Sequence, residues 1–581
     1  MVRQRLPLLL SIALLFEVVA ISGIPLFRQF QDPDFFWHLK SGEWIWEHRA
    51  LPDEFLFASP PPTMPAVVQR FTMTSYWVMQ ILFHLTHAAG GMVGLVALRF
   101  LLYTLLLLAI VRVKDGDNLV FLGLLVPAVV IFSQYTVERP QYVSFVFFGL
   151  LLQLLQGIRS ATSRAACLAH CAAVPGLMLL WANCHGGYVV GLGIMAAWLL
   201  AESIKRLHPT LSPLPPERLR LLLGTGAAGF LASLLNPNTY HVFEVALRPS
   251  GGPAFIVEYL STPEAFRLSA APWILVFWAL LGLVVAALAF SWRRPDLTIL
   301  TLVALTGYFA FTTVRFVPFF VLGALFVLGR IFSAPRLVGR SRIAIATAGL
   351  VLGFLFLGEA AKAYQGIPRS TRVSEFHFPV EAADLVQSEG LQGELFNLYS
   401  WGGYLIWRLA PREVFIYGAI GDRSLFDLHR LILAGESGDT HGLPFWKAQF
   451  RGRGIHATVT PVFDPQSGEL FGLLPALIAD PAWKPLLVSP TTVVFAEDTP
   501  GNREAIRRNA LPRAEFYRNL LECCAAIIKV RPTYVQAHIA RGDILLLIGD
   551  QAGALRTFEE ALRISPRHDI ARARVKQLRG R

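Results

Sequence analysis

This 581-residue chain is short of charge. Asp, Glu, Lys and Arg together make up 16% of it, against roughly 25% in soluble globular domains. Hydrophobic residues account for 54%, and the mean hydropathy is +0.50. That balance excludes a purely soluble chain, a disordered one and a collagen-like one. Cysteine is also scarce: Cys167, Cys171, Cys184, Cys523 and Cys524 form no C-x-x-C pair, so neither a zinc framework nor a disulfide scaffold is implied. Acidic residues fall short of basic ones, 40 against 52. On an apolar chain the resulting +12 reads as the basic excess of cytoplasmic loops, and no nucleic-acid partner is expected.

Long apolar runs are abundant. Spans are predicted at about 6–27, 91–111, 118–134, 141–157, 165–182, 187–203, 219–235, 272–291, 297–313, 316–332 and 342–359, each near the roughly 20 residues that cross a bilayer. With the N-terminus inside, Arg3, Arg5, Arg112, Lys114, Arg159, Arg164, Lys205, Arg206, Arg218, Arg220, Arg293, Arg294, Arg336, Arg340 and Arg342 all fall on the cytoplasmic side, as the positive-inside rule asks. Eleven crossings then put everything after residue 360 outside. The first span has no clear small-x-small cleavage site and reads as uncleaved. The expected fold class is an α-helical polytopic membrane protein.

Residues 1–360 form the transmembrane domain, with a first outer loop at 28–90. Residues 361–500 read as an extracytoplasmic α/β domain. There "GELFNLYSWGGYLIWRL" suggests strand, turn and amphipathic helix, and "EVFIYGAI", "HATVTPV" and "TTVVFAED" suggest buried strands. The tail, 501–581, reads as helical. Pro532 and Pro566 lie 34 residues apart, the tetratricopeptide period, and Gly542, Leu545, Ala554, Phe558 and Ala561 fall at that repeat's small and large positions. One repeat cannot bury its own face, so a neighbour or a protein partner must cover it.

The first loop, "QDPDFFWHLKSGEWIWEHRALPDEF", carries the densest chemistry. Asp32 and Asp34 flank Pro33 just beyond the first span, with His38 and Lys40 behind them. Two carboxylates at a membrane surface suit a general base or a divalent cation; equally, Asp34 could cap the helix starting near Phe35 while Asp32 is solvated. Segments such as "HLKSGEWIWEH" and "SYWVMQILFHL" are amphipathic, as interfacial helices are. Further polar clusters sit at span ends on the same side: Glu138 and Arg139, Asn183 and His185, Asn236 and Asn238, and Arg315. Juxtamembrane ionisable groups often mark a substrate path. Separately, Arg139 and Arg315 could snorkel, His185 could sit in a close-packed glycine turn, and Asn236 could end a helix. Glu17 and Arg99, at similar depths in the first two spans, invite a structural ion pair.

Taken in order, the first loop, "ERPQ", "NCHGG", "NPN" and "EYLSTPEAF" make the chain resemble the bacterial multispanning glycosyltransferases of the GT-C superfamily. Within it, the closer likeness is to the branch with a D-x-D-x-W-W-H-L first loop and a tetratricopeptide tail. The resemblance implies a GT-C-like membrane domain of about eleven helices in the bacterial cytoplasmic (inner) membrane, with the C-terminal region periplasmic. It also implies an inverting transfer of sugar from a polyprenyl-phosphate-linked donor to an extracytoplasmic protein, lipid or polysaccharide. Asp32 or Asp34 then becomes the catalytic base, and Glu258 a further catalytic-site carboxylate that either supports the base or lies on the acceptor side. Arg139, His185, Arg315 and Lys40 become candidates for the donor phosphate, with His38, Glu138, Asn183 and Asn236 supporting. No cofactor is certain; a divalent cation, Mg or Mn, is compatible with Asp32 and Asp34. The aspartate-glycine-arginine run that family members commonly show in the outer domain is displaced to Asp422 and Arg423 in "IYGAIGDRSLF".

The competing reading is a non-catalytic membrane scaffold for envelope or glycan assembly, recruiting partners through the outer domain and tail. A transporter is disfavoured, because no inverted repeat is found.

Overall fold

The computed structural model describes residues 2–112, 117–135, 138–208, 211–247, 257–290, 296–332, 340–363, 372–440 and 442–580. Lys114, Arg293, Arg294 and Arg336 lie outside the described residues. The chain separates into two compact units. One comprises Met1–Asp32, Ser41–Asp53 and Ala66–Arg372; the other comprises Pro33–Lys40, Glu54–Pro65 and Val373–Arg581.

The first unit is built of helices: α1 (Val2–Phe27), most of α2 (Phe35–His48), α3 (Ala66–Thr74), α4 (Trp77–Arg112), α5 (Asn118–Phe132), α6 (Gln141–Ser160), α7 (Arg164–Cys184) and α8 (Tyr188–Ile204). They continue with α9 (Pro216–Ser233), α10 (His241–Leu247), α11 (Thr262–Ser269), α12 (Pro272–Phe290), α13 (Leu297–Thr312), α14 (Val317–Phe332) and α15 (Arg340–Ala363). Among the described residues, six helices are long and apolar enough to cross a membrane, and four shorter apolar ones accompany them. Every expected span falls on a helix, though the one expected at 219–235, α9, is in neither of these two groups. Helix α4 breaks direction at Gly91, whose φ of 55° lies in the left-handed region open to glycine. The break comes where the second span was expected to begin, so loop 28–90 is itself largely helical.

Helix α6 has 20 residues, about 30 Å at 1.5 Å per residue, the thickness of a hydrocarbon core. Its C-terminal end is locked by charge. Arg159 bonds Asp296 at 2.5 Å, and Lys205 bonds Asp296 at 2.6 Å and Glu202 at 2.9 Å. Thr298 Oγ1 donates to Glu202 as well. Lys205 and Glu202 are fully buried, and burying such charges is tolerable only because they are paired and hydrogen-bonded. Arg159 and Lys205, read from the sequence as loop charges, are therefore internal clasps between helix ends, and polar clustering is not confined to the other end of the helices.

The second unit carries a four-stranded mixed sheet of order β1-β4-β6-β5, from β1 (Glu394–Asn397), β4 (Ile455–Pro461), β5 (Trp483–Val488) and β6 (Thr492–Glu497). A two-stranded ribbon joins β2 (Asp439–Thr440) and β3 (Leu443–Pro444). Strand β1 runs parallel to β4, and the other pairs are antiparallel. Helices α16 (Val380–Ser388), α17 (Gly402–Leu409), α18 (Arg423–Leu433), α19 (Phe445–Arg453), α20 (Leu473–Ala479) and α21 (Arg503–Asn509) belong to the same unit. "EVFIYGAI" is not a strand of the sheet. Its Val414, Phe415, Ile416 and Tyr417 are buried. Val414 bridges to another backbone, donating to Phe57 O and accepting from Ser59 N at 3.0 Å each. Beyond it a side chain takes over: Phe415 N donates to Asn397 Oδ1 at 2.9 Å, and Asn397 Nδ2 donates to Ile416 O at 2.8 Å. Asn397 replaces a ladder partner, so burial without alternation misled the strand assignment.

The tail is helical: α22 (Arg513–Val530), α23 (Val535–Leu547), α24 (Gln551–Ile564) and α25 (Asp569–Leu578). Ala554, Phe558 and Ala561 are fully buried in one apolar cluster. A Cβ on Gly542 would stand 2.5 Å from the Phe558 ring, so glycine is what lets α23 and α24 meet there.

Candidate active site

The polar site of the first unit is assembled from the turns between helices. The segment after α1 presents Asp32; the turn before α6 presents Glu138 and Arg139. A short 3-10 turn, Val257–Tyr259, presents Glu258, and another, Val314–Phe316, presents Arg315. These turns are stitched together through backbone: Val314 N donates to Leu260 O at 2.9 Å, and Tyr135 OH donates to Val314 O at 2.9 Å. The turn holding Glu258 is fixed from the other side by the Ser261–Glu264 capping box of α11, which satisfies two donors at the helix start.

Arg139 is the hub. Its Nε donates to Asp32 Oδ2 at 2.6 Å and its Nη1 to Glu258 Oε2 at 2.9 Å. Asp32 is 5% exposed and Glu258 29% at the side chain, so one carboxylate is enclosed and the other borders solvent. A charge-assisted pair of this kind orients a carboxylate. Beside Glu258, Arg315 Nη1 donates to Tyr259 OH at 3.2 Å, and its guanidinium lies 5.6 Å from the Tyr259 ring centroid. Glu258, Tyr76 and Arg139 all act on Arg315 electrostatically.

Behind Arg139, Glu138 is paired with Arg99, and Arg99 Nη1 also donates to Leu26 O at 3.0 Å and Arg28 O at 2.6 Å. The guanidinium thus caps the carbonyl end of α1 and lies over the Phe30 ring at 4.5 Å. Burial pushes the Glu138 carboxyl up, while the Arg99 charge pulls it back. The expected Glu17–Arg99 pair does not form. Glu17 Oε2 is buried without a hydrogen-bond partner, and a Cβ on Gly353 of α15 would stand 2.2 Å from it. Matching depth along two helices said nothing about azimuth, and the turn before α6 supplied a nearer carboxylate.

His185 closes α7. Its Nδ1 is bonded by Ser144 Oγ at 2.7 Å and by Gly187 N–H at 2.9 Å, and its ring lies 5.5 Å from Tyr76. Burial, followed by the Arg315 charge, holds its pKa well below the usual histidine value. It is therefore a neutral group, not the cation a phosphate site suggests. Asn183 and Asn236 brace backbone: Asn183 accepts from Trp77 Nε1 at 3.0 Å and donates to Leu235 O at 2.9 Å, while Asn236 donates to Ser233 O at 2.6 Å and accepts from Asn238 N at 2.8 Å.

Asp34, His38 and Lys40 belong to the second unit. Asp34 O accepts the His38 N–H at 3.3 Å, the first turn of α2, and Asp34 Oδ1 accepts from Trp37 Nε1 at 3.4 Å. A Cβ on Gly418 would lie 1.8 Å from Asp34 Oδ1, and one on Gly403 would lie 2.4 Å from Pro33 O. The Pro33–Asp34 corner is thus seated on two glycines. The His38 and Trp37 rings are 3.6 Å apart at their centroids. Asp422 caps α18 through Ser424 N and accepts from Thr63 N at 2.6 Å. Burial raises its pKa, but the hydrogen bonds from Ser424, Thr63 and Leu425 outweigh that and leave it below the usual carboxylate value.

No protein-family model matches the chain, and no curated protein matches it. Among solved structures it is similar to ArnT from Cupriavidus metallidurans bound to undecaprenyl phosphate, at 12% identity over 85% of this chain and 98% of that one, with a TM-score of 0.49. The apo structure of the same ArnT gives 12% identity, 86% and 99% coverage and a TM-score of 0.48. The Archaeoglobus fulgidus oligosaccharyltransferase tethered with an acceptor peptide gives 13% identity, 84% and 74% coverage and a TM-score of 0.47. At these identities the likeness says nothing of this chain's chemistry.

Asp32, Arg139, Glu258, Arg315, Glu138 and His185 all belong to the first unit. Sequence reasoning missed Tyr259, Tyr76, Ser144 and Trp181. Tyr259 was in view inside "EYLSTPEAF" and Trp181 at the head of "WANCHGGY"; Ser144 is an ordinary buried position of α6 with no local signal. Among the described residues, no three His, Cys, Asp or Glu side chains gather as a metal site. A divalent ion at Asp32 would have to compete with the Arg139 guanidinium.

Proposed function

We propose that the chain is an integral-membrane glycosyltransferase. It moves a sugar from a polyprenyl-phosphate-linked donor to an extracytoplasmic acceptor, a protein, lipid or polysaccharide, with inversion. The observation that carries this reading is the enclosed Asp32 carboxylate held at 2.6 Å by a guanidinium that it shares with Glu258, with Arg315 alongside. A lipid-linked sugar has its tail in the bilayer and its anomeric carbon at the interface, which is where helix-end turns lie.

Asp32 takes the proton of the acceptor hydroxyl as that oxygen bonds to the anomeric carbon. The bond from that carbon to the phosphate oxygen breaks on the opposite side, and the polyprenyl phosphate departs. Arg139 keeps Asp32 aimed. Arg315 carries the phosphate charge, and His185 adds a neutral donor; pre-placed donors of this kind are worth about 3–4 kcal/mol each. Lys40 and a divalent cation are further candidates for the donor phosphate. The first unit lies in a bacterial cytoplasmic membrane, with residues after 360 outside, and the helical tail offers a tetratricopeptide-like surface to a protein partner.

One observation favours the scaffold reading: Asp32 and Glu258 already satisfy Arg139, as a purely structural clasp would. The two are separated by incubating the purified full chain in nanodiscs with polyprenyl-phosphate sugars and an envelope extract that supplies acceptor hydroxyls, and following release of polyprenyl phosphate. A transferase releases it and loses about 10²–10⁴-fold on Asp32→Asn. A scaffold releases none from any donor.

A further inference from the structure

His185 sits at one end of a hydrogen-bond chain whose proton order can be read from its ends. Trp181 Nε1–H, which can only donate, gives its proton to Ser144 Oγ at 2.7 Å. Gly187 N–H, equally fixed as a donor, points at His185 Nδ1 at 2.9 Å. Between them, Ser144 Oγ and His185 Nδ1 are 2.7 Å apart. An imidazole proton on Nδ1 would face the Gly187 N–H head on, so Nδ1 is the acceptor. Ser144 then accepts from Trp181 and donates its own hydroxyl proton to Nδ1. The neutral ring keeps its one proton on Nε2. Ser144 and Trp181 are fully buried and His185 is 7% exposed, so water does not compete for these bonds along the chain.

We infer that Trp181 and Ser144 are positioning residues that fix His185 as the neutral tautomer with its proton on Nε2, so that it meets the donor phosphate as an uncharged hydrogen-bond donor and leaves the positive charge to Arg315. The clause concerning the phosphate rests on the proposed transferase reading; the tautomer does not. The charged and titratable groups set around this ring are consistent with the assignment. Arg315, from the turn between α13 and α14, opposes a second positive charge on His185, and Tyr76, before α4, faces the ring. Glu258, Tyr259 and Arg139 surround Arg315 itself. A glycine is needed at 187 for the same reason: a Cβ there would stand 2.6 Å from Ser144 Oγ and 2.7 Å from His185 Nδ1, inside the relay.

The test is the histidine-side-chain ¹⁵N spectrum of the full chain in nanodiscs, without donor. His185 is assigned by its disappearance in His185→Gln. The expected result is one protonated nitrogen, Nε2, and one bare nitrogen, Nδ1, unchanged across about pH 5 to 8, the window in which an ordinary histidine changes charge. Ser144→Ala leaves Nδ1 only the Gly187 N–H, so the Nδ1-protonated tautomer should appear as a minor species, and Trp181→Phe, which leaves the hydroxyl in place but removes its fixed donor, should show less of it. A wild-type His185 that titrates within that window, or that carries its proton on Nδ1, overturns the inference. So does a Ser144→Ala chain whose His185 spectrum is unchanged. If Ser144→Ala does not fold, the wild-type spectrum and Trp181→Phe decide. Since no substrate enters the measurement, its failure is distinct from a failure to transfer sugar.

Discussion

Replacing Glu138 by Gln probes how the hub Arg139 is held, since the preceding residue is clasped by Arg99. The Arg99 side chain is fully buried and that of Glu138 is 10% exposed. Removing one partner of a buried ion pair costs about 3–5 kcal/mol, because the other charge is stranded. Two features reduce that here. Gln keeps a neutral acceptor of the same reach, and Arg99 retains the carbonyls of Leu26 and Arg28 and the Phe30 ring. The expected loss is therefore about 2–3 kcal/mol. Arg99→Met should cost more, because it also uncaps the last carbonyls of α1. The double variant should lose less than the sum of the singles by about 1–2 kcal/mol, the coupling that contacting residues show. The assay is equilibrium unfolding of the full chain in mixed micelles, run as a double-mutant cycle. Additivity within about 0.5 kcal/mol would refute the clasp. Glu138→Gln should also slow transfer through Arg139 without altering acceptor preference.

Three further outcomes are expected. His429 donates from Nε2 to Asn397 O at 2.9 Å, and burial lowers its pKa from 6.5 to about 4. The unfolded chain then binds one more proton than the folded one between those values, so the second unit is at full strength above about pH 6.5 and loses about 3 kcal/mol as pH falls to 4. Hydrogen exchange in β4 and β6 should record that loss, and His429→Gln should flatten it. Gly418→Ala, which places a Cβ on the Asp34 carboxylate, should expel the Pro33–Asp34 corner and raise proteolysis at 54–65; unchanged cleavage would contradict the seat described for Asp34. Gly542→Ala should overpack Phe558 and cost about 1–3 kcal/mol, visible as faster exchange in α23 and α24 with the membrane helices unaffected.

What the sequence disclosed and what it hid divide along a physical line. Helix positions came through because apolar runs of bilayer length have few alternatives, and the Gly91 break fell where the run changed character. Strands β4 and β6 were visible as β-branched runs; β5, with Lys484 and Pro485 inside it, was not. Ion partners stayed hidden because they depend on azimuth and on turns far apart in sequence. Arg99 took Glu138 in place of Glu17, Arg159 and Lys205 turned inward to Glu202 and Asp296, and Arg139 gathered Asp32 and Glu258 across more than 200 residues. Asp32 and Asp34 both stood as candidate bases in the sequence, with Asp32 slightly ahead, yet one is held by a guanidinium and the other is seated on glycines. Ser144 carried no signal, and Trp181 showed only as the residue that opens "WANCHGGY", since a relay is defined by donor direction and not by composition.

The most direct measurement is the ratio of transfer rates of Asp32→Asn and Glu258→Gln at equal protein abundance, with a polyprenyl-phosphate sugar donor. Both carboxylates share Arg139, so a structural clasp would suffer similarly from either change. General-base loss at Asp32 predicts a fall of about 10²–10⁴-fold for Asp32→Asn and a far smaller one for Glu258→Gln. Equal rates for the two variants, or wild-type turnover in Asp32→Asn, would contradict the assignment of Asp32 as the base.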